Sequence, residues 1–188
     1  MSKPIARNSS QRGKSVSARH TAIIMGETVN KTEIYRYLSE QNIHYEITEH
    51  KAVFNMEELN TIDLPYPDLD AKNLFVRDDK KRNYYLITVK GDKRVDLKEF
   101  RKNNGLKALS FASADDLITI LQLAPGSVTP LGLLNDENLR VRFYLDSDFY
   151  GTLIGVHPND NTATVWLQAA ELVKLIRDHG NEVDIVQI

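Results

Sequence analysis

Two apolar runs, KNLFVRD (Lys72–Asp78) and NYYLITVK (Asn83–Lys90), flank the charged stretch Asp79–Arg82. Both runs are rich in β-branched and aromatic residues, and the break between them is long enough only for a turn. The pair therefore reads as a β-hairpin. A lone hairpin is marginal in water, so the rest of the chain must supply further strands and a layer to cover them.

Those strands are visible. IHYEIT (Ile43–Thr48) alternates, and LRVRFYLD, TLIGVHP and TATVWL follow one another closely between Leu139 and Leu167. VDIVQI ends the chain. Helices are interspersed. Asn30 with Glu33 three residues on predicts a capping box, followed by the stripe Ile34, Tyr37, Leu38 and Gln41. Asn55 and Glu58 predict a second helix start, with Pro65 and Pro67 closing that region. Asp96 caps a short helix that Gly105 stops. Ser113 and Asp116 open another, running to about Leu123 before Pro125. In QAAELVKLIRDHG, Ala169, Leu172, Val173 and Ile176 share one face and Gly180 is the C′ residue. Hairpins with interspersed helices predict an α+β domain built on a mixed, mostly antiparallel sheet flanked by helices.

The chain has 188 residues, enough for one domain with a real core. Residues 1–27 are polar, Ser-rich and aperiodic, and they cannot bury enough to offset their ordering entropy. They are expected to be a disordered basic tail, with residues 28–188 forming the domain. A basic arm that touches RNA and a transit peptide are the other readings of this segment. Charge divides the same way: residues 1–22 carry +5 and the remainder −7. An acidic body argues against a broad nucleic-acid-binding field and leaves room only for local RNA contact. The absence of Cys excludes a disulfide scaffold and a thiol nucleophile. It suits a reducing compartment. No apolar run approaches the roughly 20 residues that span a bilayer. A soluble cytoplasmic protein, with no membrane contact, is expected.

Chemistry-bearing motifs are sparse. There is no phosphate-binding glycine loop, dinucleotide fingerprint or nucleophile elbow. None of the five His forms an H-x-x-x-H pair, which argues against a zinc site, and no cofactor is expected. Asp115 and Asp116 sit at a helix start, where capping accounts for them. Three polar clusters remain. Lys72 and Asn73 enter a strand in AKNLF, where a lysine is ordinarily a solvated charge. His157 ends a strand in GVHPNDNTAT, held extended by Pro158, and a surface turn residue is the plain alternative. The third is LAPGSVTPLGLLND, Leu123–Asp136, in which Gly126 permits close backbone approach and Pro130 stiffens the chain. A long connector is its plain reading. Taken together, they suggest a pocket with a cation, an amide, an imidazole and free backbone N–H groups, suited to stabilising an oxyanion.

The ordered motifs TEHKAVF, AKNLF, YYLI, GDKRVDL, LSFAS, PGSVTPLGL and HPNDNTAT closely resemble the YbaK/prolyl-tRNA-synthetase-associated editing domain family. The resemblance is to its free-standing ProX/PrdX-type branch and covers about residues 30–188. It implies a curved mixed sheet flanked by helices and a deacylase that hydrolyses the ester of mischarged Ala-tRNA(Pro). Its catalytic lysine falls on Lys72, with Asn73 beside it. Its G-x-x-x-P loop falls on Gly126, Ser127, Val128, Thr129 and Pro130. Its pocket histidine falls on His157, and an early histidine on His50. The resemblance implies that backbone N–H groups near Gly126 and Ser127 receive the oxyanion. It further implies that Asn73, His50, Val128, Thr129 and Pro130 line the substrate site. The implied partners are the tRNA(Pro) acceptor end carrying a wrong amino acid and prolyl-tRNA synthetase. Related branches clear cysteinyl, seryl or threonyl esters, and a non-catalytic tRNA-binding module on the same fold is the reading from another class. A generic esterase is disfavoured by the missing triad.

Overall fold

The computed structural model describes residues 28–52 and 62–188. The expected tail at 1–27 and the helix start at Asn55–Glu58 lie outside the described residues.

Asn30 caps α1 (Lys31–Glu40), its side chain accepting from the N–H groups of Thr32 and Glu33. Glu33 does not complete the expected box. It pairs instead with Arg36, one turn along the exposed face. Ile34, Tyr37 and Leu38 are buried, whereas Gln41 is the exposed C-cap. β1 (Tyr45–Glu49) follows. The hairpin is β2 (Ala71–Asp78) and β3 (Tyr84–Lys90), antiparallel with Phe75 opposite Leu86. Asp78 closes its turn by accepting from Arg82 N–H at 2.8 Å and Asn83 Nδ2 at 2.6 Å. Asp96 caps α2 (Leu97–Asn103), and β4 (Leu109–Phe111) pairs back onto β2. In α3 (Ala114–Leu121) the Ser113–Asp116 capping box forms as expected. The helix stops two residues before Leu123, because Gln122 turns left-handed at φ 52°. β5 (Val141–Asp146), β6 (Leu153–Val156), β7 (Ala163–Gln168), α4 (Ala169–His179) and β8 (Val183–Val186) complete the order. Gly180, at φ 119°, ends α4 where an L side chain would be strained.

The strands form an α+β arrangement in which antiparallel pairings predominate, as expected. They divide into two sheets: a five-stranded one in the order β4-β2-β3-β5-β8 and a three-stranded one in the order β1-β7-β6. Among the described strands, the parallel ladders are β3–β5 and β5–β8. Each of those pairs is joined by a long crossover, as parallel strands require. Where the sheets meet, Asp70 and Gly155 form a single parallel bridge. The lead into β2 is thereby fastened to β6.

β3 is the central strand, and its burial explains why its sequence is almost continuously apolar. Tyr84 and Leu86 face the main core, while Tyr85, Ile87 and Val89 face a second cluster with Phe100 and Tyr144. Leu86, Ile87 and Val89 are fully buried. Each contributes about 1.5–3 kcal/mol by leaving water. Part of the Leu123–Asp136 segment, whose plain reading is a long connector, has regular structure. Residues Pro130–Asn135 form a 3-10 helix, and every one of them is buried. Among the described residues, no helix is long and apolar enough to cross a membrane.

Gly155 marks a steric limit at the junction of the sheets. It lies opposite Trp166 across the β6–β7 pair, and a Cβ placed there would sit 2.3 Å from the indole ring. The indole is itself held by Thr48, 2.9 Å from its Nε1, and packs against Tyr66. Gly155→Ala is expected to lower unfolding stability by about 1–3 kcal/mol through overpacking. Urea denaturation followed by tryptophan fluorescence measures this, with unchanged stability as the contrary result.

Candidate active site

The two sheets bring the beginning of β2 beside the end of β6, and the loop from Leu123 to Thr129 crosses that junction. Pro125 and Gly126 occupy the centre of a turn closed by Ser127 N–H to Ala124 O at 3.1 Å. Gly126 has φ 90°, the left-handed value needed at the third position of a type II turn after proline. The Ser127 N–H, expected near the oxyanion, is the donor that closes this turn. The N–H groups of Gly126 and Val128 have no backbone partner among the described residues.

Two side chains lash the loop in place. Asn73, on β2, donates from Nδ2 to Val128 O at 3.0 Å, and its Oδ1 accepts from the buried Thr88 hydroxyl at 2.6 Å. Thr129 is fully buried, and its hydroxyl donates to His157 O at 2.7 Å. The same oxygen accepts from Leu131 N–H, capping the 3-10 helix that begins at Pro130. The Asn73 amide and the Thr129 hydroxyl are thus engaged within the protein. They place Val128 beside β2 and tie the loop to the end of β6.

His157 stands beyond β6, half-buried rather than on an open turn. Its Nδ1 lies 3.0 Å from Ala163 O. A carbonyl only accepts, so Nδ1 carries the proton and the neutral ring presents Nε2 as an acceptor. Burial lowers the His157 pKa below the ordinary 6.5, opposed by the Ala163 carbonyl, with His50 adding to the fall. The two imidazoles meet edge to face with centroids 6.1 Å apart. His50 donates from Nδ1 to Lys51 O at 2.8 Å and pairs through Nε2 with the Thr164 hydroxyl at 3.1 Å. The turn after His157 is organised by Asp160, which accepts from Thr162 N–H at 2.8 Å, and by Asn159, whose Nδ2 reaches Val29 O at 2.6 Å.

Lys72, on β2 beside Asn73, is partly buried, and its ammonium donates to the carbonyl of Lys93. Burial lowers its pKa from the ordinary lysine value and Arg94 pushes the same way, while Asp92 and Asp70 oppose them. Asp70 is nearly buried, and its Oδ2 has no hydrogen-bond partner. Desolvation raises its pKa. Lys93 in turn makes ion pairs with Asp146 and Asp148, which had no role in the sequence argument. No residue spacing signals those pairs. The turn that engages Ser127 did have a signal, because a Pro-Gly pair at the centre of a type II turn commits the next N–H. Asp116 is accounted for structurally: it caps α3 and accepts from Tyr84 at 2.9 Å. Among the described residues, no group of three or more His, Asp or Glu could hold a metal ion.

The site therefore offers a cation held near a strand entry, a turn in which the Gly126 and Val128 N–H groups have no backbone partner among the described residues, and a neutral imidazole acceptor. Replacing Asn73 by Ala would free Val128 O and leave the buried Thr88 hydroxyl without its partner. Asn73→Ala is expected to lower unfolding stability by about 1–3 kcal/mol. Chemical denaturation checks this, and an unaltered midpoint would show that the strut is not supporting the loop.

Most of the chain is similar to known proteins. The family model for the aminoacyl-tRNA editing domain matches residues 50–175, from His50 past His157. The prolyl-tRNA editing protein ProX of Acetoanaerobium sticklandii is 39% identical over 159 residues, covering 84% of this chain and 97% of that protein. Prolyl-tRNA synthetase associated domain-containing protein 1 of Mus musculus is 31% identical over 157 residues, covering 81% of this chain and 92% of the relative. A solved structure described as a candidate trans-editing enzyme for prolyl tRNA synthetase shares the fold, with a TM-score of 0.63 and 22% identity over 84% of this chain and 97% of that one. This chain belongs to the aminoacyl-tRNA editing domain family.

Proposed function

We propose that this chain is a free-standing hydrolase that removes alanine from mischarged tRNA(Pro). The observation that carries the reading is the tying of one loop to β2 and to the end of β6, through Asn73 to Val128 O and Thr129 to His157 O. Family membership supplies the substrate class, and the 39% identical relative is named as a prolyl-tRNA editing protein.

The reaction asks little of the protein's side chains. An aminoacyl ester is already activated, so positioning it against a water supplies much of the acceleration. Water attacks the ester carbonyl carbon, and the electron pair moves onto the carbonyl oxygen. The N–H groups of Gly126 and Val128 receive that oxyanion, in a region where fixed donors cost no reorganisation. Collapse breaks the bond to the terminal ribose, whose oxygen takes a proton, and alanine leaves with its carboxylate formed. Lys72 holds the phosphate or ribose end of the acceptor strand. His157 Nε2, kept as an acceptor by the Nδ1 contact to Ala163, orients a hydroxyl of the terminal ribose. That hydroxyl orients the water, so no protein nucleophile or triad is required.

The need for such an enzyme follows from size. A synthetic pocket shaped for proline cannot strongly reject a smaller residue, because apolar volume differences supply only about 1–3 kcal/mol. A second site that admits alanine and excludes proline completes the discrimination. Docking on prolyl-tRNA synthetase would bring this site to its substrate.

Lys72→Ala is expected to lower alanine release from Ala-tRNA(Pro) by roughly 10²-fold or more, with circular dichroism unchanged. A folded variant with wild-type turnover would remove Lys72 from the mechanism. Running Ala-, Cys- and Ser-tRNA(Pro) side by side fixes the amino acid, with alanine expected to leave fastest.

The pH dependence follows from His157. Its lowered pKa keeps the ring neutral to a lower pH than an ordinary histidine, so the acid limb of kcat/KM is expected at a midpoint under 6.5. The same shift makes its contribution to stability complete above 6.5 and lost as pH falls through the folded-state value. In His157→Gln the acid limb should vanish. A pH–rate profile identical to wild type would exclude His157 as its source.

A further inference from the structure

The segment between β3 and α2, Gly91–Asp96, turns and then runs without regular structure. It nevertheless forms the edge against which Lys72 rests. Gly91 N–H donates to Asp70 O at 3.1 Å, and Lys93 N–H donates to Lys90 O at 3.0 Å. The strongest attachment is the Lys93 side chain. Its ammonium lies 2.6 Å from Asp146 Oδ2 and 2.9 Å from Asp148 Oδ2. Asp146 closes β5 and is fully buried, and its second oxygen accepts from Asp148 N–H at 3.2 Å. Burial pulls the Lys93 pKa down, but the two carboxylates outweigh it and the net shift is upward. A buried carboxylate whose cation is removed is left uncompensated, so this contact holds firmly.

The consequence lies at the main chain. Clamping Lys93 to β5 fixes its carbonyl, and that carbonyl accepts from the Lys72 ammonium. An ammonium has three donors and no acceptor. One contact to a fixed carbonyl sets the direction of the other two and removes much of the rotational freedom of a four-carbon stem. We propose that Lys93 is a positioning residue for the deacylation: held by Asp146 and Asp148, it presents the carbonyl that aims Lys72 at the substrate. This rests on the role of Lys72 given above. The charged groups facing Lys72 are Asp92 and Arg94 from the same segment and Asp70 from the lead into β2.

The full-length chain is the material for the test, as wild type, Lys93→Arg, Lys93→Met and Lys93→Met/Asp146→Asn. The double variant removes the bare buried carboxylate that could unfold the single one. Two readouts are taken: single-turnover alanine release from Ala-tRNA(Pro), and the titration midpoint of Lys72 from trace acetylation with mass spectrometry. The second needs no substrate. Lys93→Met and the double variant are expected to release alanine roughly 10- to 100-fold more slowly, as loss of a positioning contact does. In both, the Lys72 midpoint should rise as its ammonium swings into water. Lys93→Arg, which can still bridge the two carboxylates, should restore rate and midpoint. A folded double variant with the wild-type Lys72 midpoint, or with wild-type turnover, overturns the proposal. If the wild-type chain releases no alanine while the midpoint rises as expected, the substrate assignment fails and the clamp on Lys72 stands.

Discussion

The amide of Asn73 joins both strands of the β2–β3 hairpin to a loop far away in sequence. Its nitrogen holds Val128 O, 55 residues away, and its oxygen receives the hydroxyl of Thr88 on the adjacent strand. A partly buried amide at a strand entry gains by satisfying both ends, and here the strand and the loop do so together. The Asp70–Gly155 bridge and the Thr129 hydroxyl complete the same junction from the other sheet. Without these contacts, the two sheets would still have cores, but the turn at Gly126 would have no fixed relation to Lys72 or His157.

Charge is handled around this junction by burial and by backbone carbonyls more than by ion pairs. Lys72 meets a carbonyl, His157 meets another, and both pKa values fall for the same leading reason, desolvation. A depressed pKa keeps His157 neutral as an acceptor, whereas Lys72 stays a cation because its ordinary value is far above neutrality. The strong ion pairs lie one layer out, at Lys93 with Asp146 and Asp148. This division gives an editing site without an activated nucleophile a rigid donor geometry, which is what hydrolysis of an already labile ester requires.

Local signals were legible. The β2–β3 hairpin, the Asn30, Asp96 and Ser113 caps and the Gly180 stop each depend on residues within a few positions, and each formed. Contacts between distant segments were not legible. The division into two sheets and the parallel β3–β5–β8 pairing depend on crossovers whose ends no local pattern marks. The Leu123–Asp136 segment read as a long connector, and its Pro130–Asn135 part is a buried 3-10 helix. Glu33 turned to Arg36, because an exposed carboxylate has little to choose between a backbone N–H and a guanidinium. At the site, Lys72, Gly126 and His157 stood out through the family resemblance; the loop that holds Gly126 is tied to His157 O by Thr129 and to β2 by Asn73, while the Lys72 ammonium meets Lys93 O. The engaged states of Asn73 and Thr129 became visible only with their partners 55 and 28 residues away. The Lys93–Asp146 pair, 53 residues apart, had no sequence signal at all.

The central claim is that this junction hydrolyses a small aminoacyl ester and spares the cognate one. Single-turnover incubation of the chain with Ala-tRNA(Pro) and, separately, with Pro-tRNA(Pro) tests it most directly. The account predicts free alanine and intact tRNA well above the spontaneous rate, with the prolyl ester left in place. Binding of both tRNAs without release of either amino acid would contradict it, and would mark the chain as a tRNA-binding module on an editing fold.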